Sequence, residues 1–475
     1  MKTRIESDLI GELQLNGDVM YGVQTQRGLE NFPISKFKLS DYPDFIHGLA
    51  WTKWGAAIAN HDLGLLSDEI YNAIVQACKE LLDGKHHEFF PVDMIQGGAG
   101  TTTNMNANEV IANRALQIMG HEFGEYQFCS PNDHVNCSQS TNDAYPTAIH
   151  LGLYAINFKL IEHFEMLIKS FEKKADEFKH ILKMGRTQLE DAVPMTLGQT
   201  FGAFASILRD EVDHLKCAAD EFLTINMGAT AVGTGICSVP GYAEKCTEAI
   251  AKVTGWKIKK AEDLVAATSD TSSMVGYSSV LKRIATKMNK ICNDLRLLGS
   301  GPRCGLHEVD LPARQPGSSI MPGKVNPVIP EVMNQISYKV IGNDLCVAMC
   351  NEAAQMELNA MEPVMAQCCF ESVEILINGF DVLRMYCVDG IKANEKQCEI
   401  YLKNSIGIVT ALNPIIGYKN STKIAKEALQ TGGSVYDLVL KHGVLNKEEL
   451  DTILSPENTI KPVKLNIKPR REPIS

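Results

Sequence analysis

The stretch from Thr147 to Leu182 limits what this chain can fold into more than any other. It contains no Pro and no Gly except Gly152, and its apolar residues recur at three- and four-residue spacing: Ile149, Leu153, Ile156, Leu160, Phe164, Leu167 and Phe171. That pattern predicts one helix on the order of 50 Å long at ~1.5 Å per residue. Comparable runs occupy Leu197–Ile225, Ser273–Leu298, Val328–Cys350 and Glu362–Cys387. Helices this long bury their apolar faces by packing lengthwise, so the fold reads as mainly α with a long central helical bundle. Small residues on one of them, Gly198, Gly202, Ala203, Ala205 and Ser206, suit close helix approach. The apolar faces exceed what one chain covers, which points to an oligomer with a shared multi-helix core; a large monomeric bundle is the alternative.

The flanks differ in character. Residues 1–140 read as an N-terminal helical domain, with helices near Asp44–Asn60 and Ser67–Leu82 and a break at Gly97-Gly98-Ala99-Gly100. An Asn-rich run then opens a helix through Val110–Met119, and Ser130–Asp133 reads as a turn. Residues 141–394 form the central bundle domain, and 395–475 a small C-terminal helical domain with turns at Gly407, Asn413-Pro414 and Gly432-Gly433. The basic tail from Lys461 reads as a solvated, flexible end. Strand content is confined to a hairpin around Ile10–Tyr21.

Composition excludes several classes. A net charge of −11 opposes a nucleic-acid surface, which needs clustered Lys and Arg. No apolar run approaches the ~20 residues that cross a bilayer, and residues 1–18 lack a signal-peptide core. The 14 Cys show no CxxC pair or His/Cys zinc spacing and read as thiols of a cytoplasmic protein. There is no HExxH and no Walker motif, and the Gly-rich stretches 228–235 and 299–303 follow no strand of a βαβ unit. The reading therefore includes no cofactor and no metal.

Three polar clusters stand out against the helices. One is Gly100–Asn104 with Asn106; the second is Asn136–Asp143 with Gly185–Gln188; the third is the loop GSSIMPGKVNP, Gly317–Pro327. All are rich in neutral donors and poor in carboxylates, as suits a site that holds negative charge. In the third, Lys324 and Asn326 lie just before helical spacing resumes, with Val332, Ile336, Val340 and Ile341 on one face, so free N–H groups and the helix dipole favour an anion there. The bland reading also stands: Thr101–Asn104 and Ser140–Asn142 fit helix caps, and the loop fits a surface connection. His134 and His307 read as hydrogen-bonded surface residues, and Arg27 as a salt-bridge residue or a pocket neighbour.

GSSIMPGKVNP resembles the signature of the fumarase/aspartase superfamily. The resemblance extends through GGAGTTTNMNANEV (97–110), SPNDHVNCSQSTNDAYPT (130–147), MGRTQLEDAVPMTLGQ (184–199) and AEDLVAATSD (261–270). Within the superfamily these segments are similar to the ammonia-lyase branch. Class II fumarases typically read GSGTQSNMN, SSNDTFPT and GRTHTQDA where this chain has GGAGTTTNMN, STNDAYPT and GRTQLEDA. The resemblance implies a three-domain subunit, a homotetramer and active sites at which three chains meet.

It also implies a reaction: reversible loss of ammonia from L-aspartate to give fumarate, through C3 proton abstraction and an aci-carboxylate dianion. On this resemblance Ser318 is the general base, and Thr101, Ser140, Thr141 and Ser319 surround the β-carboxylate. Lys324 and Asn326 hold the α-carboxylate, and Asn142 and Thr187 fix the amino group. Gln188 stands where fumarases place a histidine; glutamine transfers no proton at neutral pH, so a hydrogen-bonding role is expected. The alternatives are a class II fumarate hydratase on the same scaffold and a non-catalytic helical scaffold protein.

Overall fold

The computed structural model describes residues 3–472. The chain opens with a hairpin of β1 (Thr3–Asp8) and β2 (Gly11–Asn16), then α1 (Val23–Asn31), α2 (Pro43–Asp62), α3 (Asp68–Leu82) and α4 (Thr101–Ile118). Helix α5 (Thr141–Glu177) leads into a second hairpin, β3 (Leu182–Thr187) and β4 (Glu190–Thr196), and then α6 (Leu197–Asp220), α7 (Tyr242–Thr254) and α8 (Leu264–Ser269). Three more long helices follow, α9 (Ser272–Leu298), α10 (Val328–Glu352) and α11 (Glu362–Tyr386). The chain closes with α12 (Glu395–Asn404), α13 (Val409–Thr431), α14 (Val435–Lys441), α15 (Lys447–Ile453) and the four-residue α16 (Pro456–Thr459). The mainly helical class and all five long helices match the sequence periodicity.

Helix α5 has 37 residues, about 55 Å at ~1.5 Å per residue. Leu153, Leu160, Phe164, Leu167 and Phe171 are fully buried along it. It starts ahead of Pro146 rather than after it. Proline lacks the N–H that would bond the Asn142 carbonyl, and Asn226 Nδ2 donates to that oxygen instead, at 3.0 Å. Gly152 is required by packing: a Cβ there would lie 2.8 Å from the Asp44 carbonyl oxygen and 2.9 Å from the Phe370 ring.

The chain divides into two compact units. One comprises the residues up to Glu162, Glu211–Thr286 and Ile336–Ile377; the other comprises His163–Asp210, Lys287–Gln335 and the chain from Asn378. The boundary falls inside each of the five long helices rather than in linkers. In the first unit Glu109 of α4 accepts the N–H groups of Gly22, Gln24 and Thr25 at 2.8–3.0 Å and so caps α1. Glu80 of α3 is clamped by Arg114 of α4 at 2.6 and 3.0 Å. In the second unit fully buried Glu308 receives Lys183 at 3.0 Å and Arg186 at 2.7 Å, which fixes the β3 strand. Phe171, Phe178, Phe201 and Phe204 form an aromatic cluster.

Several expectations shift. The first hairpin lies nearer the N-terminus than Ile10–Tyr21, because Asp8 Oδ1 accepts the N–H groups of Ile10 and Gly11 and turns the chain there. The β3/β4 hairpin adds strands where the sequence pattern points to none. Its turn residues Gln188 and Leu189 both take left-handed φ, 54° and 66°, without a Gly or Asn to announce it. Helix α4 starts at Thr101 itself, so the Asn-rich run lies inside the helix.

On α6 the buried face is Phe201, Phe204, Ala205 and Leu208, while Ala203 and Ser206 are exposed. On α10 the inner face is Met333, Val340 and Val347; Val332 is 37% exposed, and Tyr338, Leu345 and Met349 are 60–63% exposed. The expected turn at Asn413-Pro414 falls instead at Gly417 (φ 78°), which interrupts α13. Among the described residues the tail is not free: Leu465 and Ile467 pack on the C-terminal core, and Arg470 pairs with Glu449 and donates its N–H to the Ile415 carbonyl at 2.7 Å. No helix among the described residues is long and apolar enough to cross a membrane.

Candidate active site

The loop 317–327 folds back on itself. Gly317 N–H donates to the Lys324 carbonyl at 2.7 Å, and Asn326 Nδ2 donates to the Gly317 carbonyl at 2.8 Å. A Cβ on Gly317 would lie 2.7 Å from the Asn326 nitrogen, so this closure needs glycine. Ser318 Oγ accepts the N–H groups of Ile320 at 3.2 Å and Met321 at 3.0 Å. Two donors aimed at one hydroxyl oxygen favour negative charge on it. Ser319 and Lys324 are exposed, Asn326 is half-buried, and Lys324 has no ion pair among the described residues. Helix α10 begins directly after Pro327, but its N-terminus offers less than expected: Val328 N–H donates to the Asn326 carbonyl at 2.9 Å, Glu331 N–H donates to the Pro327 carbonyl at 3.3 Å, and Pro330 has no N–H, which leaves Ile329 as the one unpaired donor of the first turn among the described residues.

The first unit gathers the Gly100–Asn106 and Asn136–Asp143 clusters, while Gly185–Gln188 falls in the second. Thr101 opens α4, exposed, with its hydroxyl on the Gly98 carbonyl at 2.8 Å rather than in a cap. Ser140, Thr141 and Asn142 begin α5. Ser140 does act as a cap: its N–H donates to Asp143 Oδ1 at 2.9 Å, and its Oγ accepts from Asn142 N–H at 3.3 Å. Asn104 Nδ2 donates to Thr141 Oγ1 at 3.2 Å, joining the start of α4 to that of α5. Asn142 Nδ2 is held by the Ala231 carbonyl at 2.7 Å. The Gly-rich stretch 228–235 thus serves α5: Gly228 and Thr230 donate N–H groups to Asp143 Oδ2 at 3.1 and 2.9 Å. Burial lifts that carboxyl to about 6, and these N–H groups oppose the lift.

Sequence reasoning missed Lys53. It lies fully buried on α2, with Nζ 2.7 Å from Asn104 Oδ1, 2.8 Å from Gln139 Oε1 and 3.1 Å from Asn136 Oδ1. Burial pushes its ammonium down to about 7. Three carbonyl acceptors call for three N–H donors, which only the protonated amine supplies. Lys53 therefore binds the turn before Thr141 to the helix carrying Thr101. The signal was available: a lone cation on the apolar stripe Ile46, Leu49, Ala50, Ala56 and Ala57.

The hairpin tip carries Thr187 and Gln188, both exposed, in the second unit with the 317–327 loop. No hydrogen bond among the described residues joins tip to loop. Gln188 borders a cleft of about 410 Å³ that also takes in Arg186, Leu189 and Phe204. Arg27 is held by both Asp8 oxygens at 2.8 Å, a structural ion pair. His134 accepts the Ser130 N–H, and His307 bonds Asp310 and Asn394, as expected of hydrogen-bonded residues.

Comparison with known proteins fits this arrangement. Residues 11–342 match the Lyase family, and residues 408–461 match the fumarase C C-terminus. The chain belongs to the fumarase/aspartase lyase family. Relatives of this lyase include the aspartate ammonia-lyases of Pseudomonas canavaninivorans (54% identical, 97% of each chain), Helicobacter pylori (54%; 97% of this chain, 98% of that one) and Escherichia coli K12 (52%; 97% and 96%). Among solved structures, it is similar to a fumarate lyase:delta crystallin from Brucella melitensis bound to cobalt, with TM-score 0.94, 47% identity and coverage of 97% of this chain and 100% of that one. The class II fumarase of Schistosoma mansoni aligns with TM-score 0.90 at 33% identity, covering 98% and 100%.

Proposed function

We propose that this chain is an aspartate ammonia-lyase, a carbon–nitrogen lyase that reversibly converts L-aspartate to fumarate and ammonia. The observation that carries the reading is identity of 52–54% to proteins of that activity across almost the whole chain. The loop chemistry supports it independently.

The C3 proton of aspartate is weakly acidic because it adjoins an ionised carboxylate. Removing it moves the electron pair into that carboxylate and makes an aci-carboxylate dianion. Expulsion of the C2 amine as ammonia then restores the single charge and leaves the double bond. Donors already aimed at the dianion lower the barrier more than any other group in the site, each by ~3 kcal/mol. In this proposal Ser140, Thr141 and Ser319 are those donors, together with Thr101 once its hydroxyl turns from the Gly98 carbonyl to the substrate. Lys324 and Asn326 hold the α-carboxylate next to the α10 N-terminus, and Asn142 and Thr187 hold the amine. Ser318 is the base, and the Ile320 and Met321 N–H groups on its oxygen support an alkoxide there. Gln188 contributes a hydrogen bond and no proton transfer.

The same proposal includes a homotetramer in the cytoplasm, with segments 1–140, 141–394 and 395–475 as its domains and three chains at each site. The exposed Tyr338, Leu345 and Met349 on α10 support a core completed by other copies. Fumarate hydration is the second reading, favoured by the fumarase likeness and opposed by Gln188. The deciding experiment follows the fumarate double bond by absorbance with ammonium and with water as the nucleophile. Consumption with ammonium is expected. Turnover with water alone replaces the lyase reading with a hydratase, and none with either leaves a scaffold protein.

A further inference from the structure

Apart from the residues assigned above, the first unit holds a polar cleft of about 280 Å³ beside the early turns of α5. Its lining includes His150, Glu221, Asn226, Asp270, Ser273 and Glu362, and no Lys or Arg. Glu362 is 2% exposed and has neither hydrogen bond nor ion pair among the described residues. A buried carboxyl without a partner is costly, so its presence calls for something to complete it. Burial holds this carboxyl well above the usual carboxylate range while nothing opposes it.

The other groups present oxygen lone pairs. His150 Nδ1 faces the Thr224 carbonyl at 3.1 Å, which can only accept, so Nδ1 carries the ring proton. His150 Nε2 then accepts from the Ser273 hydroxyl at 3.1 Å. Ser273 has spent its proton, and its oxygen is left as an acceptor. The packed surroundings push the His150 imidazole down to about 4, so the ring is neutral and adds no positive charge. Glu221 and Asp270 stand exposed at the rim and add two carboxylates.

We infer that this cleft binds a small monovalent cation of ammonium size, completed by Glu362, Ser273 and the rim carboxylates. The chemistry excludes an anion, since every charged group facing the cleft is a carboxylate. A tightly held divalent metal is a poor fit: among the described residues no three His, Cys, Asp or Glu side chains converge closely enough to hold one. A water occupies ~30 Å³, so the volume admits a cation with part of its hydration shell. Ammonium and potassium share the required size and charge and differ in directionality, because ammonium donates four N–H groups. Asn226 links the cleft to the turn bearing Asn142. An effect of occupancy on turnover through that link rests on the lyase reading; the binding itself does not.

The test uses the full-length protein at fixed ionic strength, with tetramethylammonium chloride as the bulky reference salt. Ammonium chloride and potassium chloride are each expected to raise Tm by about 2 °C over the reference at saturating concentration. The shift is expected to disappear in Glu362→Gln and to shrink in Asp270→Asn, which keeps the test alive if the buried variant fails to fold. Crystals soaked in rubidium chloride should show anomalous density against Glu362. A shift with ammonium alone assigns hydrogen-bonded recognition, and equal shifts assign recognition by size and charge; both support the site. An unchanged shift in both variants overturns it, as does rubidium density without any Tm shift, which marks an adventitious ion only.

Discussion

Ser318 differs from an ordinary loop serine in one respect: its oxygen is the acceptor of two backbone N–H groups. If it is the base, Ser318→Ala should lower kcat on the order of a thousandfold while oligomer size is unchanged, as measured by steady-state kinetics and light scattering. Near-normal turnover would remove it from the role. Lys324→Ala should chiefly raise KM for aspartate, since it removes a point charge from carboxylate binding; an unchanged KM would refute the contact. These residues were legible because the loop is one contiguous run whose Gly, Pro, Lys and Asn each have a local meaning. Lys53 was legible only as a cation out of place on the apolar stripe of α2; its three partners come from α4 and the turn before α5, and nothing local to α2 names them.

The elements were legible to the degree that periodicity governs them. The five long helices follow from apolar spacing, and their ends shift by a few residues, as at the start of α5, where Asn226 replaces the bond that Pro146 removes. The β3/β4 hairpin was hidden because its left-handed turn is made by Gln188 and Leu189, residues that carry no turn preference.

The clamp between α3 and α4 carries a pH prediction. Hydrogen bonds from Arg114 hold the Glu80 carboxyl down at about 2, against the opposing effect of burial. Because the folded value lies below the usual 4.5, the clamp's contribution is complete above pH 4.5 and fades as pH falls toward 2. Glu80→Gln should lower Tm by about 2 °C at pH 7, with the gap to wild type closing through that window in thermal melts. A gap that stays constant down to pH 2 would show that packing, not charge, is lost.

At the scale of the whole molecule, the candidate residues divide between the two units: Thr101 and Ser140–Asn142 in one, Thr187, Gln188 and the 317–327 loop in the other. If each site draws these from different chains, two inactive variants should repair one another. Ser318→Ala and Thr141→Val subunits, unfolded together and reassembled at equal ratio, should regain about a quarter of wild-type activity from sites that receive both native residues by random mixing. No recovery would place both residues in one chain's site. Leu345→Arg on the exposed face of α10 should yield smaller species by light scattering, with helical circular dichroism retained.

One consequence of the architecture concerns cutting and rejoining the chain. Because the division between the units crosses the interior of α5, α6, α9, α10 and α11, no peptide bond along it lies in a loop. A protease working there must first unwind a helix, and a gene truncated there yields a fragment with raw helical ends and stripped apolar faces. Tolerated insertions and permuted termini should therefore cluster at the outer turns, and the two units should be inherited, made and degraded as one.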